Sequence, residues 1–417
     1  MAQGINAIAN LRGKVDKYNR LVVQSGHQQS AFGELLTAEL HPQIQQSFAY
    51  TVSNTRLNTN TTANDGTITQ ETALLKVQSS ATANGTAQFQ SKRHARYRPG
   101  LGGLFRFTAM FSAPIATGEQ YVGTLDETGS TAAFKNGYAI GYDGTTFGVH
   151  RFVNDSKSSV ALSACDDPLD GTGESRITLD TTKLNVFQIR FQYLGAGAIE
   201  FEVEDPELGT FVRFHTIRFA NTNTVPSVYN PNFHATYWAN NGGTATNVSV
   251  ASASYGYFIE GHTEFEELHQ PTASSGTKEL TSVTTESQLF TIRNKSSYAS
   301  KTNFIDVLLQ AFSVSVEASA ANNLGTARVV LNATLGGSPS YADISTTDSV
   351  IELDTASTTV TGGTELVSVE LAGKNDKAIL DVSRYQIIMA PNDTLTIAVS
   401  SANSATFRGS MVWKELF

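Results

Sequence analysis

Cysteine is almost missing: Cys165 is the one cysteine in 417 residues, so no disulfide can form within the chain. Charge is thin as well, at 16% of residues against a usual ~25%. What charge there is leans acidic, with 29 Lys and Arg against 38 Asp and Glu for a net −9. Without a global positive field, nucleic acid is excluded as a main partner. No apolar run reaches the length of a membrane-spanning helix, so no membrane insertion is expected. The eight histidines are scattered without zinc-site spacing. The opening Met1-Ala-Gln-Gly-Ile lacks the basic and apolar regions of a secretory signal, so the expectation is synthesis in the cytoplasm and release by lysis or assembly.

In place of charge the chain carries Ser, Thr, Asn and 33 Gly around 40% apolar residues, the make-up of many short strands and turns. Helical spacing is confined to Ile5–Val23, with Ile5, Ile8, Leu11, Val15 and Tyr18. From there to residue 98 the strands are poor in apolar residues, which predicts an anchoring arm that must pack on something else, either the following domain or a partner. The arm ends in the only positive block, Lys92-Arg-His-Ala-Arg-Tyr-Arg98. Read as a strand, it is a solvated face or an inter-subunit contact with an acidic surface, with a phosphate or sugar-acid site as the alternative.

Residues 99–262 alternate cleanly, as in Phe105, Phe107, Ala109 and Phe111, and Tyr138-Ala-Ile140 leads through Asp143-Gly144 to Phe147 and Val149. A hairpin is predicted over Asn185–Asp205. A three-residue loop at 195–197 would pair Phe191 with Phe201, Arg190 with Glu202 and Gln192 with Glu200. Polar residues 263–278 read as a linker. Residues 279–417 carry strands near 289–293, 304–316, 327–333, 366–371, 395–400 and 407–416. The expected fold is mainly β: a concanavalin-like sandwich and then a jelly-roll-like one, preceded by an extended arm with a short helix.

Few stretches of the chain carry the spacing of a common catalytic or metal site. Glu200, Glu202 and Glu204 share one strand face, as a glycosidase's acid and nucleophile would. Laminarinase-type enzymes carry Glu-x-Asp-x-Glu there, however, and this chain has Glu in the middle, no Trp-rich cleft and Arg190 opposite. Asp166-Asp-Pro-Leu-Asp-Gly171 fails the EF-hand calcium-loop spacing and reads as self-capping turns, with a calcium ion in some other loop geometry as the alternative. His262 and His269 stand too far apart for a zinc protease, and Cys165 has no neighbouring base. The expectation is a non-enzyme with no cofactor and no metal. The aromatic candidates for a glycan are Tyr237-Trp238 and the pair Tyr255 and Tyr257, against a reading as core or rim packing.

The order of short motifs resembles that of tailed-bacteriophage virion structural proteins. The similar stretches are Arg96-Tyr-Arg-Pro-Gly100 into Leu104-Phe-Arg-Phe-Thr108, Gly141-Tyr-Asp-Gly-Thr-Thr-Phe-Gly148, Leu179–Gln188, Tyr193–Ile199, Val203–Pro206, Asn221–Pro231, Met389–Leu395 and Val412-Trp-Lys-Glu415. The resemblance implies a decoration or fibre component on the outside of the particle, attached to head, neck or tail. Its partners would be other virion proteins and further copies of itself, and it implies no catalytic residues. A carbohydrate- or receptor-binding lectin module, with a host surface glycan as ligand, is the alternative.

Overall fold

The computed structural model describes residues 14–15, 21–22, 39–261, 271–318 and 324–417. Within these, two β-sandwiches follow one another, as the alternation predicts. Strand Gly103–Phe111 shows the cause: Phe105, Phe107, Ala109 and Phe111 are buried while Arg106, Thr108 and Met110 face outward. It lies at the middle of a nine-stranded sheet. On one side come Asn185–Phe191, Ile199–Glu204 and Phe211–Ile217. On the other, Ser249–Ser252 and Ser254–Glu260 share one position; the first leads to Leu74–Gln78 and Thr67–Glu71, the second to Leu40–Ser47. A seven-stranded sheet packs against it, ordered Ser156–Ala161, Thr146–Val153, Gly137–Asp143, Glu119–Leu125, His234–Asn240, Thr86–Ser91 and Asn58–Ala63.

Three expectations are corrected here. Residues from Leu40 to Ser91 are no separate arm, because they supply five strands to the first sandwich and bury Phe48, Leu75, Val77 and Phe89 completely. Each burial of such a side chain stabilises by about 1.5–3 kcal/mol, so this segment is part of the core. Second, Lys14–Val15 pairs antiparallel with Leu21–Val22, so the predicted helix does not run through those positions; the rest of Ile5–Val23 lies outside the described residues. Third, the Asn185–Asp205 hairpin has a longer loop. Phe191 pairs with Ile199, Arg190 with Glu200 and Gln188 with Glu202. The ladder stops at Phe191 because Tyr193 turns aside to donate to the Val228 carbonyl at 2.7 Å, and Gly197 N–H closes a tight turn onto the Tyr193 carbonyl at 2.9 Å. A slip of two residues keeps every side chain on its predicted face.

The second sandwich has eight principal strands: Lys278–Val283, Ser287–Asn294, Asp306–Ala318, Gly325–Leu331, Thr364–Leu371, Lys377–Asp381, Thr394–Ser401 and Ala405–Leu416. One sheet orders them first, eighth, third, sixth, and the other second, seventh, fourth, fifth. That is the double Greek key of a jelly roll. Thr272–Ser274 adds beside the last strand, so the end of the predicted linker is sheet; 262–270, with His262 and His269, lie outside the described residues.

The basic block forms no strand. It runs between the sandwiches, with one bridge from Ala95 to Phe233. Lys92 pairs with Asp393 at 2.7 Å, and Arg96 donates to the main-chain oxygen of Phe417. Thr302 also donates to Glu127 across the seam at 2.8 Å. His94 is sandwiched between His234, 3.8 Å away, and Phe304, at 4.9 Å. Instead of the solvent or the acidic surface of another subunit that its sequence predicts, the block meets Asp393 and the Phe417 main chain of the same chain's second domain.

This seam sets a pH dependence. Burial holds His94 well below its usual range, helped by His234, and lowers His234 to about 4. Because the folded values lie below the unfolded one, their contribution is complete above about pH 6.5 and is lost as pH falls through that value toward 4. Burial pushes Asp306 the other way, to about 7, against the pull of Arg93 and Arg96 and with Asp393 adding to the rise. The folded state then takes up a proton there, and stability grows as pH falls from 7 toward the unfolded carboxyl value. Thermal melts from pH 7 to 4 are expected to show His94→Phe less acid-sensitive than the wild type and Asp306→Asn more so. Parallel profiles for all three proteins would refute this account.

Candidate functional site

On the outer face of the nine-stranded sheet the register lines up Gln45, Gly256, Arg106, Gln188, Glu202 and Arg213 in one row across six strands. Arg106 Nε donates to Gln188 Oε1 at 3.0 Å, and Gln188 in turn donates to Glu202. Arg190, one step along, reaches Glu202 at 3.4 Å and Glu200 at 3.6 Å, and Arg213 holds Glu200 at 2.9 Å. The three glutamates do share a face, as their spacing requires, yet Glu200 and Glu202 serve as partners of arginines.

The row is interrupted at Gly256. Its missing side chain leaves a groove of 590 Å³ lined by Gln45, Arg106, Thr108, Ser254, Tyr255 and Phe258, among others. A Cβ on Gly256 would stand 2.8 Å from the Phe258 ring, so that ring lies against the bare backbone. The Arg106 guanidinium stacks 4.6 Å from the Phe211 ring. Two half-buried aromatic rings thus flank a run of hydrogen-bonding side chains, a surface able to take the apolar face and the hydroxyls of a polar ring.

The four aromatic residues singled out from sequence lie elsewhere. Tyr237, Tyr255 and Tyr257 are buried in the first core; Tyr237 packs edge-on against Phe48 and Phe89, and Tyr255 reaches the groove only at its edge. Trp238 sits on the far side of the seven-stranded sheet, covered by Phe134 at 5.5 Å and donating to Glu119 at 3.3 Å. None of the four presents an open ring face: the alternation that buries Ile259 and Phe89 buries the three tyrosines too, and Phe134 covers Trp238 on the other face of its sheet. Phe258 and Phe211, which do face outward, were missed.

The remaining sequence candidates are spoken for locally. Asp167 accepts from Leu169 N at 3.0 Å and Ser175 N at 2.7 Å, and Asp170 accepts from Thr172 N at 2.9 Å, so these carboxylates tie their own turns. Among the described residues no cluster of metal-binding side chains occurs, and no helix is long and apolar enough to cross a membrane. Burial, with Asp166 adding to it, pushes the Cys165 thiol up to about 12, far from a thiolate nucleophile at neutral pH.

No known family and no curated protein matches this sequence. Among solved structures the chain is similar to peanut lectin, with 11% identity, 53% of this chain and 99% of that one covered, and a TM-score of 0.35. It is also similar to a legume lectin-like domain from Entamoeba histolytica, at 14% identity, 48% and 89% covered and a TM-score of 0.30. A putative beta-glucanase from Mycobacterium abscessus is similar at 10% identity, 52% and 99% covered and a TM-score of 0.35. Names that speak of lectins and of a glucanase stand side by side at this level of likeness, which says nothing of what this chain binds.

Proposed function

We propose that the protein is a non-catalytic carbohydrate-binding module that takes a glycan in the groove on the outer face of the nine-stranded sheet. The observation that carries this reading is the Phe258 ring laid on Gly256 at the end of the Arg106–Gln188–Glu202 row. In it the sugar ring stacks on Phe258 while Arg106 and Gln45 bond its hydroxyls. Arginine pairing of Glu200 and Glu202 supports binding over hydrolysis. A glycan array is expected to return ligands for the wild type and at least a tenfold loss of affinity for Phe258→Ala and Arg106→Ala, with circular dichroism unchanged. No ligand on the array, or full binding by both variants, would sink the reading, as would release of reducing sugar that Glu202→Gln abolishes.

A second reading is favoured by the motif order along the chain: an exposed, multi-copy component of a tailed-phage particle, held by other virion proteins and presenting the groove to a host surface. Imaging of the source particle is expected to show symmetric density fitting two sandwiches. A well-resolved particle without it would leave the binding module alone.

A further inference from the structure

Between the two sandwiches lies a separate cavity of 430 Å³, at the seam the basic block forms. Its polar lining is Arg56, Lys92, Arg93 and Asp393, with Asn54 and Gln386 beside them. Two of the four charged groups are spent on each other: Lys92 pairs with Asp393 at 2.7 Å, and Asp393 also accepts from Asn332 at 2.8 Å and from Ala390 N at 3.0 Å. The arginines are not spent in this way. Arg93 Nε is shielded from water without a hydrogen-bond partner, so it is the remainder of the Arg93 side chain that lines the cavity. Arg93 does feel the charge of Asp306, but that one carboxyl also faces Arg96. Arg56 is exposed on the loop at the mouth, where its own N–H is fixed by Asn54 Oδ1 at 3.0 Å.

The rest of the wall is apolar. Leu57, Leu331, Leu366 and Ile388 line it, and Tyr385, 69% exposed, stands among them. Two guanidinium groups over an apolar wall suit a compact ring that carries a planar anion, since the fork of an arginine matches a carboxylate. The volume is that of a small-ligand site.

We propose that this interdomain cavity binds the carboxylate of an acidic saccharide, with Arg93 and Arg56 gripping the anion and the ring lying against Leu57, Leu366 and Tyr385. The site is independent of the outer-face groove and shares no residue with it. Occupancy bridges the two sandwiches, because Arg56 and Arg93 belong to the first and Tyr385 and Leu366 to the second.

Titration calorimetry on the full chain tests it with three probes: D-glucuronate, D-glucose and inorganic phosphate. Glucuronate is expected to bind and glucose not to, with affinity falling as salt is raised. Arg56→Gln, on an exposed loop, and Arg93→Gln are each expected to weaken glucuronate at least tenfold, while Phe258→Ala leaves it unchanged. Equal binding of glucose and glucuronate, or undiminished binding by Arg56→Gln, overturns the proposal. Phosphate bound as tightly as glucuronate overturns the saccharide assignment. A loss caused by Phe258→Ala would overturn the separation of the two sites, whereas failure of the array alone touches only the outer face.

Discussion

Replacing Glu415 by alanine is expected to destabilise the second sandwich by about 3–5 kcal/mol, because one buried carboxylate there satisfies three donors that nothing else can reach. Glu415 is fully buried. It accepts from Ser349 Oγ at 2.6 Å, from Val350 N at 2.7 Å and from Trp413 Nε1 at 3.0 Å. The first two donors lie just before strand Ile351–Asp354 of the opposite sheet, so the contact clips the two layers together and holds the indole in place. Glu415→Gln keeps the size and one accepting oxygen but turns an amide N–H₂ toward a donor, and a smaller loss is expected. The chain has two tryptophans, one per sandwich, so urea unfolding of a Trp238→Phe background reports Trp413 alone. A midpoint shift for the alanine variant no larger than for an exposed control would show that these bonds contribute little.

The Trp-x-Glu at the end of the sequence therefore has a physical cause that its motif alone did not reveal. Much else was legible. The six strands read in the last third all occur, and their apolar alternation was enough to find them even though Ser287–Asn294 and Asp306–Ala318 each shift parity once at a bulge. Strands before residue 92 were under-read, since Asn58–Ala63 and Thr67–Glu71 bring hardly any apolar side chain of their own and are held by the ladders of their neighbours. Register in the Asn185–Asp205 hairpin was hidden by a tertiary contact, the Tyr193 hydroxyl on Val228, which no local pattern encodes.

The outer-face groove was within reach of the same parity rule. Tyr255, Tyr257 and Ile259 fall on one face of their strand, the core face, and Gly256, Phe258 and Glu260 on the other. Adjacency, as in Tyr237-Trp238, ignores parity: it picks one residue of the core face and one that Phe134 covers on the other face. The cavity between the sandwiches was harder: Arg56 and Arg93 are distant in sequence from Tyr385 and Leu366, and only the docking of the basic block onto the second domain brings them together.

Gly141→Ala should be about as damaging to the first sandwich, by about 3 kcal/mol or more, since it combines a strained backbone with a main-chain overlap. Gly141 sits inside strand Gly137–Asp143 with φ +155°. A Cβ there would lie 1.8 Å from the Gln120 carbonyl oxygen on the neighbouring strand. No rotamer relieves that contact, because both atoms belong to backbones held in register: Gly141 faces Tyr121 on one side and Gly148 on the other. Moving the strand away would also cost its carbonyl the bond to His150 at 3.1 Å. The comparison that isolates the overlap is Gly209→Ala, at φ +65° with nothing within 4 Å of the new methyl. There the backbone conformation alone is penalised, and about 1 kcal/mol is expected. Unfolding followed by Trp238 fluorescence in a Trp413→Phe background separates the two. If both substitutions shift the midpoint equally, the overlap is relieved by strand movement, and the glycine of the Gly141–Gly148 motif is there for its dihedral freedom and not for close approach.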